Sequence, residues 1–201
     1  MELFMSLKKL TEAAHQKAEQ SKWAQLLVSG NMTQRQYGQY LYNQLQVYSA
    51  LEAQANKLDM FTKYPILKSV ARGNMIAGDL NFFKKHTGLE KSTLDYIEYT
   101  QDLDEQEVLA HIYVRHFGDM HGGQIIKSKL PKPNLEMFMD SDGNVPELDQ
   151  DMWAGLYFFE NKYDIIKEIR TMLTLDMADE ANICFEYAID LFYDLEKHFD
   201  L

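Results

Sequence analysis

The chain reads as an all-α protein, and three features carry that reading. Apolar residues recur at helical spacing along nearly all 201 residues. Only four prolines and scattered glycines interrupt them. Helix-capping signatures stand where two of the longer runs begin, at Thr33 and Asp104.

The first helix is expected from about Ser6 to Val28, with Leu7, Leu10, Ala14, Ala18, Leu26 and Leu27 as its apolar stripe and Gly30 just past its end. Thr33-Gln34-Arg35-Gln36 forms a capping box that opens a second helix toward Leu58. Pro65 suits the first turn of a third helix through Lys85, closed by Gly88, and Leu94 to Tyr99 suits a shorter one. Asp104, with Glu107 at the third position, caps the next helix. That helix should stop at Lys129-Leu130-Pro131, because proline has no N–H to continue the ladder. Asp140-Ser141-Asp142-Gly143-Asn144 makes a polar turn, after which one or two helices cover Asp151 to Phe199.

This length suits a single domain, residues 1–201, able to bury roughly 70% of its unfolded surface. Hydrophobic residues at 46% and charged residues at 25% exclude a disordered or fibrous chain. The single cysteine, Cys184, rules out an intramolecular disulfide and fits a reducing compartment. The N-terminus lacks a signal-peptide pattern and no run approaches 18 apolar residues, so a soluble cytoplasmic protein without a membrane span is expected. A net charge of −11 argues against wholesale nucleic-acid binding. Basic residues still gather at Lys8, Lys9, Lys17 and Lys22, and again at Lys127, Lys129 and Lys132, where an acidic partner or plain solvent would suit them.

Tyr113 to Gln124 places Gly118, Gly122 and Gly123 with Asp119 inside a helix, although each interior glycine loses roughly 0.5–1 kcal/mol against alanine. Gly118 and Gly122 share a face, so a flat ligand or another helix can lie against bare backbone there. His15 stands one turn before Glu19 and two turns after Lys8 on one face of the first helix. A neutral imidazole there is suited to axial ligation of iron, although taken alone a partly exposed pairing with Glu19 is the commoner use of such a histidine.

Two metal patterns fail. With Gly143 at the sixth place of a calcium loop, the first and twelfth ligands fall on Phe138 and Asp149. Glu12-x-x-His15 matches half of a di-iron bundle site, but the other histidines have Phe83, Val108, Tyr113, Gly118 and Leu195 three positions earlier.

Together the residues resemble the heme oxygenase family. The likeness rests on Thr11, His15, Ala18 and Glu19, on Tyr48-Ser49-Ala50-Leu51-Glu52, and above all on Tyr113-x-Arg115-x-x-Gly118-Asp119-x-x-Gly122-Gly123-Gln124, and it covers most of the chain. It implies a multihelical bundle with heme between a proximal helix carrying His15, the axial iron ligand, and a distal helix kinked at Gly118 and Gly122. By the same likeness Asp119 relays protons through ordered water, with Tyr48, Tyr113 and Arg115 supporting that network. Lys8 and a later basic residue, from Lys162, Lys167 or Arg170, would meet the heme propionates, while Glu19 and Phe185 border the pocket.

The implied reaction takes heme b as both substrate and cofactor, with O2 and electrons from ferredoxin or another reductase. Its products are biliverdin, expected as the IX-alpha isomer, CO and Fe2+, feeding a bilin reductase and pigment synthesis; for a phage-borne chain this would occur in the host cytoplasm. Two positions depart from relatives: Met120-His121 replaces Leu-Ser, and Ala188 replaces an asparagine. A heme carrier without activity, or a di-metal oxidase on this scaffold, are the competing classes.

Overall fold

The structure, a computed structural model, describes residues 2–83 and 87–201, with side chains from Leu7 onward apart from that of Met137. The described residues form α-helices and short 3-10 turns, and no strand occurs among them. α1 (Glu2–Glu19) and α2 (Lys22–Ser29) replace the single helix expected from Ser6 to Val28. Ser21 divides them: its hydroxyl donates to Ala18 O at 2.8 Å and accepts from Ala24 N at 3.1 Å, closing one helix and capping the next. Gly30, at φ 79°, ends α2 as expected.

α3 (Gln34–Lys57) opens on the complete capping box, and α4 (Met60–Lys63) is a single turn that the sequence pattern does not announce. The helix expected from Pro65 is not formed. A 3-10 turn over Pro65–Ser69 is followed by α5 (Gly73–Asp79), while Lys85 lies outside the described residues. The reason is local competition: Glu52 accepts from Arg72 N at 2.5 Å and Gly73 N at 2.9 Å, and Arg72 donates to Ser69 O and Val70 O at 2.8 and 3.0 Å. Those bonds occupy groups that a continuous helix would pair within itself.

α6 (Lys91–Thr100) precedes α7 (Glu105–His121), whose Asp104 and Glu107 cap reciprocally. α8 (Gly123–Lys127) ends at Ser128, close to the expected stop. Asp140 Oδ1 accepts from Asp142 N and Asn144 N, making the polar turn. α9 (Lys162–Arg170) and α10 (Ala178–His198) complete the chain.

α10 is the spine: α1, α6 and α7 pack along it, while α3 packs on α5 and α6. One apolar cluster, including Leu51, Leu67, Val108, Ile112 and Ile169, fills the bundle between them. A second, including Trp23, Tyr37, Leu41, Phe83 and Tyr157, lies under α2, α3 and the segment after α8. Each fully buried side chain of this kind contributes roughly 1.5–3 kcal/mol. Because α1 and α7 both lean on α10, their remaining flanks stand to either side of the site.

Candidate functional site

On α1 the buried stripe is Leu7, Thr11 and Ala18, which leaves His15 on the helix flank with its side chain 46% exposed. His15 Nδ1 lies 3.7 Å from Glu19 Oε2 one turn on, longer than a hydrogen bond, and no described bond engages Nε2. Phe185 reaches the imidazole from α10 edge-on, with ring centroids 5.8 Å apart and planes at 88°. Lys8 is exposed two turns earlier on the same face.

Across the site, Gly118, His121, Gly122 and Ile125 follow one another at helical spacing along a single exposed face. A side-chain carbon on Gly118 would meet nothing within 4 Å, and one on Gly122 would meet only Gly118 O, at 3.3 Å. The α-helix runs unbroken through Gly118, stops at His121 and resumes at Gly123. The helical bonding is thus interrupted at Gly122 and continuous at Gly118, while Gly122 itself keeps helical backbone angles. Gly123 has a different use: a carbon there would lie 2.6 Å from Tyr157 Cδ1, so its bareness seats α8 against the buried Tyr157 ring. Gln124 Nε2 locks the same contact by donating to Tyr157 O at 2.8 Å.

Tyr48 and Asp119, 71 positions apart, meet through a short hydrogen bond from the phenol to Asp119 Oδ2. Burial lifts the Asp119 pKa from 3.8 to about 7, against the opposing pull of the Tyr48 bond and of the positive Arg72 and Arg115. Burial and the Asp119 charge together hold the Tyr48 phenol well above its ordinary range. Near neutrality Asp119 is thus populated both with and without its proton, the condition a proton relay needs. Arg115 is buried with its guanidinium carbon 4.7 Å from the Tyr96 ring centre. Tyr113 instead points to α1, its hydroxyl 3.5 Å from Thr11 Oγ1, and so pins the two helices at one end of the site.

Arg170, Lys162 and Lys167 come together with His121 and Thr171 around a cavity of about 700 Å³ between the end of α7 and α9. Arg170 also lies within electrostatic range of Tyr113. Among the other basic residues, Lys127 is paired with Asp151 and Lys22 donates to Leu201 O at 2.8 Å.

The sequence reading missed a buried polar chain behind the site. His111 Nδ1 meets Tyr96 Oη at 2.8 Å, His111 Nε2 meets Glu180 at 2.7 Å, and Tyr99 donates to the same carboxylate at 2.8 Å. Burial alone would lower the His111 pKa, but Cys184, Tyr96 and Glu180 raise it well above its usual value. Burial and the nearby Arg72 push His116 down to about 3, and its ring abuts Tyr48 at 5.0 Å. The available signal was three polar residues, His111, Arg115 and His116, on a helix otherwise apolar between Val108 and Phe117. Glu52, noted as part of a motif, turns out to start α5. Among the described residues no three His, Cys, Asp or Glu side chains gather to hold a metal ion.

The helix-borne His15, the glycine-faced end of α7 and the buried Asp119 carboxyl are thus carried by one all-helical bundle. The family model described as heme oxygenase matches residues 1–194. The chain is 26% identical over 209 residues to the heme oxygenase of Guillardia theta, covering 98% of this chain and 87% of that one. It is 26% identical over 206 residues to heme oxygenase 1 of a Nostoc species, covering 92% and 82%. Among solved structures it matches heme oxygenase-1 of Synechocystis sp. PCC6803 in complex with heme, at TM-score 0.72 and 21% identity over 96% of this chain and 92% of that one. Heme oxygenase-2 of the same cyanobacterium, in complex with heme and NO, matches at TM-score 0.74 and 21% identity over 98% and 86%. This chain belongs to the heme oxygenase family.

Proposed function

We propose that the chain cleaves heme with O2 and reducing equivalents to biliverdin IX-alpha, CO and Fe2+. One observation carries the reading: an accessible helix-borne imidazole, His15, is paired with a helix face kept bare at Gly118 beside a carboxylate that titrates near pH 7. The donor set fits the group, because a half-exposed imidazole with the Glu19 carboxylate near Nδ1 offers Nε2 to iron. When bound, heme supplies both the iron that activates dioxygen and the porphyrin that is cut.

The protein's part is positional and electrostatic. His15 would hold the iron, with the Phe185 ring edge-on against its imidazole. Gly118 and Gly122 let the distal backbone approach without a side chain in the way. Asp119 Oδ2 holds or yields a proton to ordered water, and Tyr48 keeps that oxygen in place. Arg115 acts on Asp119 by its charge, and Tyr113 fixes the spacing between α1 and α7. Lys8 and Arg170, with Lys167 beside it, neutralise the propionates.

In this reading the electrons come from ferredoxin and the product supplies a bilin reductase in the cytoplasm. No described helix is long and apolar enough to cross a membrane. Lys17 is the better docking candidate, since Lys127 already holds Asp151. Charge reversal at Lys17 and Lys22 should slow ferredoxin-driven turnover while leaving ascorbate-driven turnover intact; unchanged ferredoxin rates would remove that partner. The enzyme reading is tested by anaerobic heme titration followed by reductant and oxygen, with the bilin identified chromatographically. Bound heme that survives both reagents would refute catalysis, and undiminished bilin yield from His15→Ala would refute the axial assignment.

A further inference from the structure

Arg72 stands in the bend between the 3-10 turn at Pro65–Ser69 and α5, and the proposed reaction gives it no part. It is 4% exposed. Its guanidinium donates to four backbone carbonyls: Ser69 O at 2.8 Å and Val70 O at 3.0 Å on its own segment, Gly155 O at 3.4 Å and, by a short bond, Phe158 O on the segment after α8. The Phe159 ring covers the group, its centre 4.0 Å from the guanidinium carbon. Carbonyls satisfy the donors but carry no net charge. Glu52 takes the Arg72 backbone N–H and not the guanidinium, and none of the ion pairs among the described residues includes Arg72. A guanidinium keeps its proton even when buried, so a whole positive charge is held inside the bundle.

The fold brings that charge to the distal carboxyl. Glu52 on α3 is bonded to Arg72 N at 2.5 Å, and Tyr48, one turn earlier on the same helix face, is bonded to Asp119. His116, one turn before Asp119 on α7, abuts the Tyr48 ring at 5.0 Å and also feels the Arg72 charge. Away from water such a charge acts more strongly than one at the surface. Burial pulls the Arg72 pKa down, and among the groups that favour its charge Asp119 comes first, ahead of Tyr48, Glu52 and Asp79. Burial raises Asp119, and the Tyr48 bond, Arg72 and then Arg115 oppose it. The other ionisable groups acting on or feeling Asp119 are phenols: Tyr37 and Tyr40 on α3, and Tyr157 after α8.

We propose that Arg72 is a positioning residue for the proposed reaction: its fixed, unpaired charge acts through Asp119 and keeps that carboxyl able to yield its proton to the distal network. The chemical purpose rests on the heme reading above. The coupling itself belongs to the protein alone.

The test is the protonation midpoint of Asp119 in the heme-free full chain, read from the infrared carbonyl stretch of the protonated carboxyl and identified by its loss in Asp119→Asn. Arg72→Gln removes the charge and should raise the midpoint by about 1–3 pH units. Arg72→Lys keeps the charge without the fork of donors, so its midpoint should stay nearer the wild type although both variants lose thermal stability. If Arg72→Gln does not fold, Arg72→citrulline, neutral and nearly the same shape, supplies the comparison. An unmoved midpoint in the neutral variant would overturn the proposal, and so would equal displacement by lysine and the neutral residue, which would trace the shift to lost packing. With heme, reductant and oxygen, the pH optimum of bilin formation should rise with the midpoint. A displaced midpoint in a chain whose wild type forms no bilin would sustain the coupling and overturn the reaction that it is proposed to serve.

Discussion

Replacing Asp119 by asparagine isolates the work done to keep a carboxyl group poised in the distal network. The folded pKa of about 7 against 3.8 is a difference of about three pH units, which corresponds to about 4 kcal/mol at 1.36 kcal/mol per unit. Asp119 is part-buried, so residual solvent reduces the expected effect to about 2–4 kcal/mol. The sign follows from proton binding. Between pH 4 and 7 the folded state holds this proton and the unfolded state has released it, so wild-type stability falls as pH rises through that window and the loss is complete above it. Asparagine has nothing to release and still offers Tyr48 an acceptor. Urea unfolding of the heme-free proteins, followed by circular dichroism from pH 4 to 8, should show a variant advantage that is small at pH 4 and reaches about 2–4 kcal/mol by pH 8. Asp79, raised to about 6 by burial, titrates in the same window but is present in both proteins and cancels. A stability difference independent of pH would refute the claim that burial sets the Asp119 proton.

The distal glycines should separate cleanly. Gly118→Ala meets no neighbour, so heme-free stability should hold or rise by about 0.5–1 kcal/mol while heme affinity and bilin yield fall. Gly123→Ala collides with Tyr157 and should lower stability by about 1–3 kcal/mol despite alanine's better helix propensity. Equal thermal shifts for the two would contradict this division of labour. Asp79 accepts from Gly155 N and Leu156 N at 2.8 and 2.9 Å, so Asp79→Ala strands two buried donors and should cost about 2–5 kcal/mol. A melting temperature within a degree of wild type would show that the loop carrying Tyr157 is held by other contacts.

What was legible in the sequence was local. The caps at Thr33 and Asp104 are written in residues three apart, and both appear as read. Ser21 is the same kind of signal, yet the apolar stripe continues across it from Ala18 to Leu26, and the pattern concealed a break made by one hydroxyl. Pro65 promised a helix by its fixed φ, but Glu52 and Arg72, reached only through the fold, divert the backbone groups that helix needed. The site divides likewise. Spacing alone marked Gly118, Gly122 and the flank of His15. Family likeness put Tyr48 in the network around Asp119 without the direct bond between them, and the chain Tyr96, His111, Glu180, Tyr99 crosses three helices, beyond the reach of any one segment's pattern.

α1 rests chiefly on α10, and Thr11 with Tyr113 fastens it to α7 at one end. Both helices feed one apolar cluster, α1 through Leu7 and Ala18 and α7 through Ile112 and Phe117, so a flat apolar guest seated on their flanks would extend that interior. Such a guest stabilises the folded state in proportion to the logarithm of its concentration over its Kd. Here the guest is also what the reaction consumes. On the proposed reaction, each turnover would remove that piece of packing and leave an open-chain molecule of another shape in its place. Product departure would then also be a change in the protein's packing, and the next heme would restore it.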